Sequence, residues 1–258
     1  MGLGLGLTMN ICVVSLFPEM VKKILNFGVI GRSEANGIMS LSVINPRDFT
    51  DDNYQKVDDK PYGGGPGMVM KYEPLKRSVE AAKEKLSGTA PVILLSPQGA
   101  RFNQKTAKRF SQYSELIFVC GRYEGIDQRF IDSNVDEEIS IGDFILTGGE
   151  IGVMAIIDAT VRLLPGALGD ESSRTDESFE DGLLEYPHYT RPREIDGLKC
   201  PDVLLSGDHE AIKKWRKEQS IIRTSQNRPD LLKNQTDSEL TDIQKNISKK
   251  YNKQLKNE

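Results

Sequence analysis

Histidine and cysteine are scarce in this 258-residue chain, with only His188 and His209 of the former and Cys12, Cys120 and Cys200 of the latter. No Cys-x-x-Cys pair occurs, so the sequence offers no framework for a Cys/His zinc site. Three widely spaced thiols make no disulfide scaffold and fit a reducing, cytoplasmic setting. No apolar run reaches the ~20 residues that span a bilayer, so no membrane partner is expected. Gly-x-x-x-x-Gly-Lys-Ser/Thr is missing, which removes a P-loop. The Gly-Leu-Gly-Leu-Gly of residues 2–6 follows no strand and opens no helix, so it is not a dinucleotide fingerprint. Serine elbows, metal-ligand clusters and Cys/His dyads are missing as well. The opening Met1–Thr8 has neither a basic start nor an apolar core, so it is not read as a signal peptide. Residues 1–9 are expected to be a flexible extension, in which Met9 would serve equally well as a start.

What is present describes a globular protein, with 38% hydrophobic and 28% charged residues. The net charge of −4 argues at first against a nucleic-acid partner. Its distribution matters more. Residues 182–258 hold 15 Lys and Arg against 12 Asp and Glu, leaving 19 against 26 in residues 1–181. Between Glu210 and Arg228 the basic residues Lys213, Lys214, Arg216, Lys217, Arg223 and Arg228 face only Glu210 and Glu218. Such a patch can bind phosphates on an acidic protein, although a solvated helix face has the same composition.

Short β-branched runs alternate with helical patterns. Ile11–Phe17 reads as a buried strand, and Pro18 opens a helix with Met20, Val21, Ile24 and Leu25 on one face. Further strands are expected at Ile38–Ile44, Val92–Leu95, Leu116–Val119 and Glu138–Ile141, with helices at Pro74–Leu86, Asn103–Phe110 and Ile151–Leu164. The alternation implies an α/β domain with a mostly parallel sheet over 10–167. Residues 168–181 turn to Gly, Asp, Glu, Ser and Thr and are expected to be a mobile interdomain linker. Residues 182–258 are expected to form a small helical domain. There, Ser206 or Asp208 would cap a helix carrying Ile212, Trp215 and Ile221, and Ser238–Asn252 is at most a polar helix. Trp215 is expected in the core, and His188 as an anchor of the irregular segment before it.

Three glycine- or proline-punctuated loops follow strand-like runs: Leu94–Gly99, Cys120–Gly125 and Ile141–Gly149. Taken singly, each glycine reads as a turn residue needing positive φ. Together, loops at the carboxyl ends of strands form a ligand pocket in an open α/β sheet, with Arg122, Glu124, Asp143 and Glu150 nearby. A fourth glycine-rich segment, Tyr62–Met68, stands apart.

These segments resemble the bacterial tRNA (guanine-N1) methyltransferase family of the SPOUT class. The resemblance is carried by Ser15–Met20, Tyr62–Met68, Leu95–Gly99, Cys120-Gly-Arg-Tyr-Glu-Gly-Ile-Asp127 and Ile141–Glu150. Tyr186-Pro-His-Tyr-Thr-Arg-Pro192, Leu204–His209 and Trp215–Ser220 extend it, in order, from about Asn10 to Leu232. It implies a deep trefoil knot in the C-terminal part of the α/β domain, a rare exception to the usual topology rules that composition could not show. It also implies that the cofactor is S-adenosyl-L-methionine and that the partners are the tRNA anticodon stem-loop and a second copy of the chain, in a homodimer with composite active sites. Carried over by position, the cofactor contacts fall on Leu95, Ser96, Pro97, Gly121, Tyr123, Glu124, Ile141, Gly142, Asp143, Phe144, Ile145, Leu146, Gly148 and Gly149.

The implied target is N1 of the guanine just 3′ of the anticodon, position 37. Its proton must be removed while negative charge develops toward O6. The resemblance assigns the charge stabiliser to Arg162 and the base to an aspartate in the linker. There the chain departs from the family's Asp-Ser-Phe, reading Asp176-Glu177-Ser178-Phe179. Gap-free alignment puts Glu177 at the base position, with Asp176 as its competitor. Asp58 and Ser173 match positions tied to tRNA handling or catalysis, and Lys213, Lys214 and Arg216 are expected to meet tRNA phosphates. Arg122 reads equally well as structural, paired with a carboxylate, or as functional. Two other readings remain open at this level: a noncatalytic RNA-binding protein of the same fold, and a SPOUT methyltransferase acting on rRNA.

Overall fold

The computed structural model describes residues 8–169 and 177–232 and has two compact units, Met1–Gly169 and Asp170–Glu258. Half of the expected linker, residues 170–176 with Ser173 and Asp176, lies outside the described residues, as do residues 1–7 of the expected extension and the expected polar helix at Ser238–Asn252.

The first unit is built on five strands: β1 (Met9–Val14), β2 (Met39–Ile44), β5 (Val92–Arg101), β6 (Glu115–Cys120) and β7 (Glu137–Ser140). Their order is β2-β1-β6-β5-β7, and every neighbouring pair is parallel. Leu116-Ile-Phe-Val-Cys120 of the central strand is buried throughout, as an unbroken apolar run must be when helices cover both faces. Side chains alternate along each strand and feed two cores. Ile11, Val13, Leu116, Phe118 and Ile93 pack with Val153, Ile156 and Ile157 of α6 (Glu150–Val161), Ile30 of α2 (Gly28–Ala35) and Phe110 of α4 (Gln104–Phe110). Cys12, Val14, Ile117, Val119 and Leu94 pack on the other face with Leu75, Val79 and Ala82 of α3 (Tyr72–Lys85) and Phe130 of α5 (Gln128–Asn134). Each of these large side chains contributes roughly 1.5–3 kcal/mol by leaving water. The two-residue strands β3 (Asp58–Asp59) and β4 (Val69–Met70) form a separate antiparallel pair.

The α/β class and the parallel sheet are as expected, and several boundaries are corrected. β1 begins at Met9, whose side chain is buried, and stops at Val14, because Pro18 opens α1 (Pro18–Lys22) and Phe17 is its exposed N-cap residue. β5 runs six residues beyond Leu95, breaking register between Leu95 and Ala100 before pairing again with β7. A bulge of this kind depends on the neighbouring strand and leaves no period-2 signal in the sequence.

In the second unit α7 (His209–Asn227) starts at the expected cap. Asp208 accepts hydrogen bonds from the N–H groups of Glu210 (3.1 Å) and Ala211 (3.0 Å). The helix buries Ile221 against Leu183, with Leu232 of α8 (Pro229–Leu232) packed beside them. Thr224 Oγ1 ties the incoming chain to this face, accepting from Leu184 N at 2.9 Å and donating to Ser220 O at 2.6 Å. Trp215 is only half-buried, with its ring 6.3 Å from that of Tyr189, so it lies at the edge of this small core rather than in it. A short hairpin joins β8 (Glu194–Ile195) to β9 (Leu198–Lys199). No described helix is long and apolar enough to cross a membrane.

Candidate active site

The bulge of β5 and the carboxyl ends of β6 and β7 open onto a cavity of about 450 Å³, within the range of small-molecule sites. β6 and β7 contribute the loops that follow them, and β5 contributes the bulged segment within it. From β5 come Leu95, Ser96, Pro97 and Gln98, pushed out by the bulge and turned by a hydrogen bond from Gln98 N to Ser96 Oγ (3.1 Å). From β6 come Gly121, Arg122, Tyr123 and Glu124. Tyr123 sits at φ +61°, a left-handed conformation unusual for an aromatic residue and often found where a site imposes the backbone path. From β7 come Ile141, Gly142, Phe144, Ile145 and Leu146, followed by Gly148 and Gly149. Gly152, on the first turn of α6, closes the floor, where a β-carbon would sit 3.3 Å from Leu95 Cδ1.

Expected donor-pocket residues therefore gather in one cavity, apart from Asp143. That side chain forms an exposed ion pair with Arg101 at the end of β5 and does not line the cavity. Gln128, Ile126, Glu138 and Gly152 line it without having been foreseen. Asp127 before Gln128 was a readable cap signal for α5. Glu138 and Gly152 carried no local signal, since one lies within a strand and the other within a helix.

A buried polar network underlies the cavity. Glu150, fully buried at the start of α6, accepts from Ser15 Oγ on Oε1 (2.7 Å) and from Arg122 Nε on Oε2 (2.9 Å). Arg122 also donates Nη1 to the Thr147 carbonyl at 3.1 Å, and its guanidinium stacks 4.3 Å above the Phe17 ring. Residue 122 forms an antiparallel bridge with Gly148, and Gly149 N donates to Gly121 O at 3.0 Å. Arg122 is thus paired with a carboxylate, the structural one of its two readings. Burial pushes the Cys120 thiol well above its usual value, and the nearby Glu150 carboxylate adds to the effect.

The glycine-rich segment docks beside the second loop. Glu124 N donates to Met68 O at 3.0 Å, Met70 N donates to Gly125 O at 2.9 Å, and Met70 bridges Ile126. Asp58 pairs with Met70, which places it one strand removed from Ile126 of the cavity wall.

Other expected residues are not among those that line the cavity. Arg162 caps the far end of α6, whose first turn holds Gly152. The rise along the helix from Gly152 to Arg162 is about 15 Å at 1.5 Å per residue. Glu177 belongs to the second unit, where its carbonyl accepts from Glu180 N at 3.3 Å. Lys213, Lys214 and Arg216 are exposed on α7. The Arg216 guanidinium lies 4.6 Å from the Tyr186 ring, which in turn lies 4.8 Å from the exposed His188 ring.

Comparison with known proteins agrees with this architecture. A profile of the family described as tRNA (Guanine-1)-methyltransferase TrmD matches residues 9–234. A relative named tRNA (guanine-N(1)-)-methyltransferase from Pasteurella multocida is 50% identical over 241 residues, covering 93% of this chain and 97% of the relative. A protein of the same name from Carboxydothermus hydrogenoformans is 56% identical over 225 residues, with 87% and 88% covered. Another, from Shewanella amazonensis, is 53% identical over 222 residues, with 86% and 89% covered. The chain belongs to the tRNA (Guanine-1)-methyltransferase family.

Proposed function

We propose that this protein is a cytoplasmic enzyme that methylates N1 of the guanine 3′ of the anticodon, position 37 of tRNA, with S-adenosyl-L-methionine as donor. The observation that carries the reading is the cavity at the bulge of β5 and the ends of β6 and β7, lined by the segments that the sequence resemblance assigns to the donor. Its residues fit an adenosyl group. Leu95 and Ile141 offer apolar faces, Gly149 and Gly152 let the start of α6 pack close against Cys120 and Leu95, and Glu124 and Glu138 offer acceptors for ribose or ammonium groups. When bound, the donor supplies a methyl group on a sulfonium, which leaves as a neutral thioether. The trefoil threading of the implied SPOUT fold belongs to the same proposal.

The chain's own task is to make guanine N1 nucleophilic. A carboxylate accepts the N1 proton as the N1–carbon bond forms and the carbon–sulfur bond breaks, and a guanidinium holds the charge that builds on O6. We assign the first role to Glu177, with Asp176 as its competitor, and the second to Arg162. Arg162 stands a helix length from the cavity of its own chain, which favours a homodimer whose partner supplies it. Asp58 and Ser173 are assigned to tRNA handling. The exposed Lys213, Lys214 and Arg216 are assigned to stem phosphates, where affinity falls with salt.

The test is methyl transfer from labelled donor to unmodified tRNA transcripts with and without guanine at position 37. Transfer to the first alone is expected. Equal transfer to both, or transfer to rRNA fragments instead, would overturn the substrate assignment. No transfer at any pH would leave a noncatalytic RNA-binding protein.

A further inference from the structure

We infer that Glu150 and Arg122 are positioning residues that hold the donor cavity in its binding shape. The inference rests on the donor reading above and adds residues that reading does not use. Glu150 is a fully buried carboxylate, and both its oxygens are engaged from different parts of the chain. Ser15 reaches it from the end of β1 and Arg122 from the loop after β6, while Glu150 itself opens α6. A buried charge pair is costly to desolvate, and apolar residues of similar volume often serve a fold as well or better. Its presence here is explained by what Arg122 does with its remaining donors. Nη1 holds the Thr147 carbonyl at 3.1 Å, and the adjacent Gly148 and Gly149 are drawn onto residues 122 and 121.

Of three consecutive residues of the third cavity loop, Thr147 therefore hangs on the guanidinium, and Gly148 and Gly149 on the backbone of residues 122 and 121. That guanidinium is held in orientation by Glu150 below and the Phe17 ring beside it. Gly121, Gly148 and Gly149 all line the cavity, so their spacing sets its width. A planar, forked donor can bind a carboxylate and a carbonyl at once, whereas a lysine ammonium at this place reaches one or the other. Glu150 does not line the cavity and acts on the donor through Arg122, which does, and through the backbone of the loop that Arg122 holds.

The test compares wild type with Arg122→Met/Glu150→Met, which removes both charges without stranding either. Melting temperature, amide hydrogen exchange over residues 147–149, and binding of S-adenosylhomocysteine and tRNA are measured. The expected result is a folded double variant with faster exchange at 147–149. Its affinity for S-adenosylhomocysteine should be weaker by about tenfold to a hundredfold, with tRNA binding unchanged. A folded double variant with wild-type exchange and wild-type affinity would overturn the inference and leave the pair a fold element only. Should that variant fail to fold, Arg122→Lys keeps the charge and must show the same local loosening, or the inference falls. If wild type itself does not bind S-adenosylhomocysteine, the donor reading fails, while exchange at 147–149 still decides the tether.

Discussion

The guanidinium of Arg122 occupies the space where a β-carbon on Gly148 would begin. Because Glu150 and Thr147 hold that guanidinium, it has little freedom to move aside. Gly148→Ala is therefore expected to displace either the loop or the ion pair and to weaken donor binding at least about tenfold. Calorimetric titration with S-adenosylhomocysteine measures this, and unchanged affinity would mean the loop has slack the geometry does not suggest.

The assignment of the base separates two adjacent carboxylates. Glu177→Gln is expected to lower turnover on the order of a hundredfold while donor affinity stays near wild type. Single-turnover methyl transfer reads the loss. If Asp176→Asn is the damaging change and Glu177→Gln is mild, the base is Asp176. Arg162→Ala should also cut turnover about a hundredfold. Mixed dimers of Arg162→Ala with a donor-pocket variant then report whether the arginine acts across subunits, since one active site should be restored.

The three cysteines differ in accessibility. Cys12 and Cys120 are buried, and burial raises the pKa of both thiols. Cys200 is half-buried in the second unit. Brief alkylation of the native protein with iodoacetamide near neutral pH, read by peptide mass spectrometry, should label Cys200 first and leave the other two intact. Early labelling of Cys120 would contradict the packing beneath the cavity.

Acid stability carries a signature from Asp127, which caps α5 by accepting from Arg129 N at 3.0 Å and also binds the Arg129 side chain. Those side-chain hydrogen bonds hold its carboxyl below the ordinary carboxylate value. A folded-state pKa depressed in this way stabilises the protein above the unfolded-state value of about 4 and ceases to do so as pH falls through the folded value. The stability difference between wild type and Asp127→Asn should thus stay constant from about pH 7 to about pH 5 and shrink below about pH 4. Urea unfolding at several pH values measures it, and a difference that grows on acidification would reverse the sign.

Much of the candidate site was readable because its segments carry strong local chemistry. Leu116–Cys120 is apolar at every position, which only a strand covered on both faces tolerates, and the glycines after β6 and β7 mark loops at strand ends. Asp208 announced α7 because a carboxylate before a helix satisfies orphan N–H groups. The family resemblance added the chemistry, which composition and periodicity do not encode. Short elements were harder: the seven-residue α5 and the two-residue β3 and β4 are too brief to show a period.

What the sequence by itself determined is the α/β class, the parallel sheet, the family and the loops that meet at the cavity. The tertiary structure decided the partners of the charged residues in those loops. Asp143 turns to Arg101, 42 positions away, and Arg122 turns down to Glu150 and not outward. Such choices depend on which strand ends lie side by side, and strand order is a long-range property that no local pattern carries. Of the three glycine-punctuated segments recognised in the sequence, two are tied together in the fold by the half-buried Arg122 and the buried Glu150.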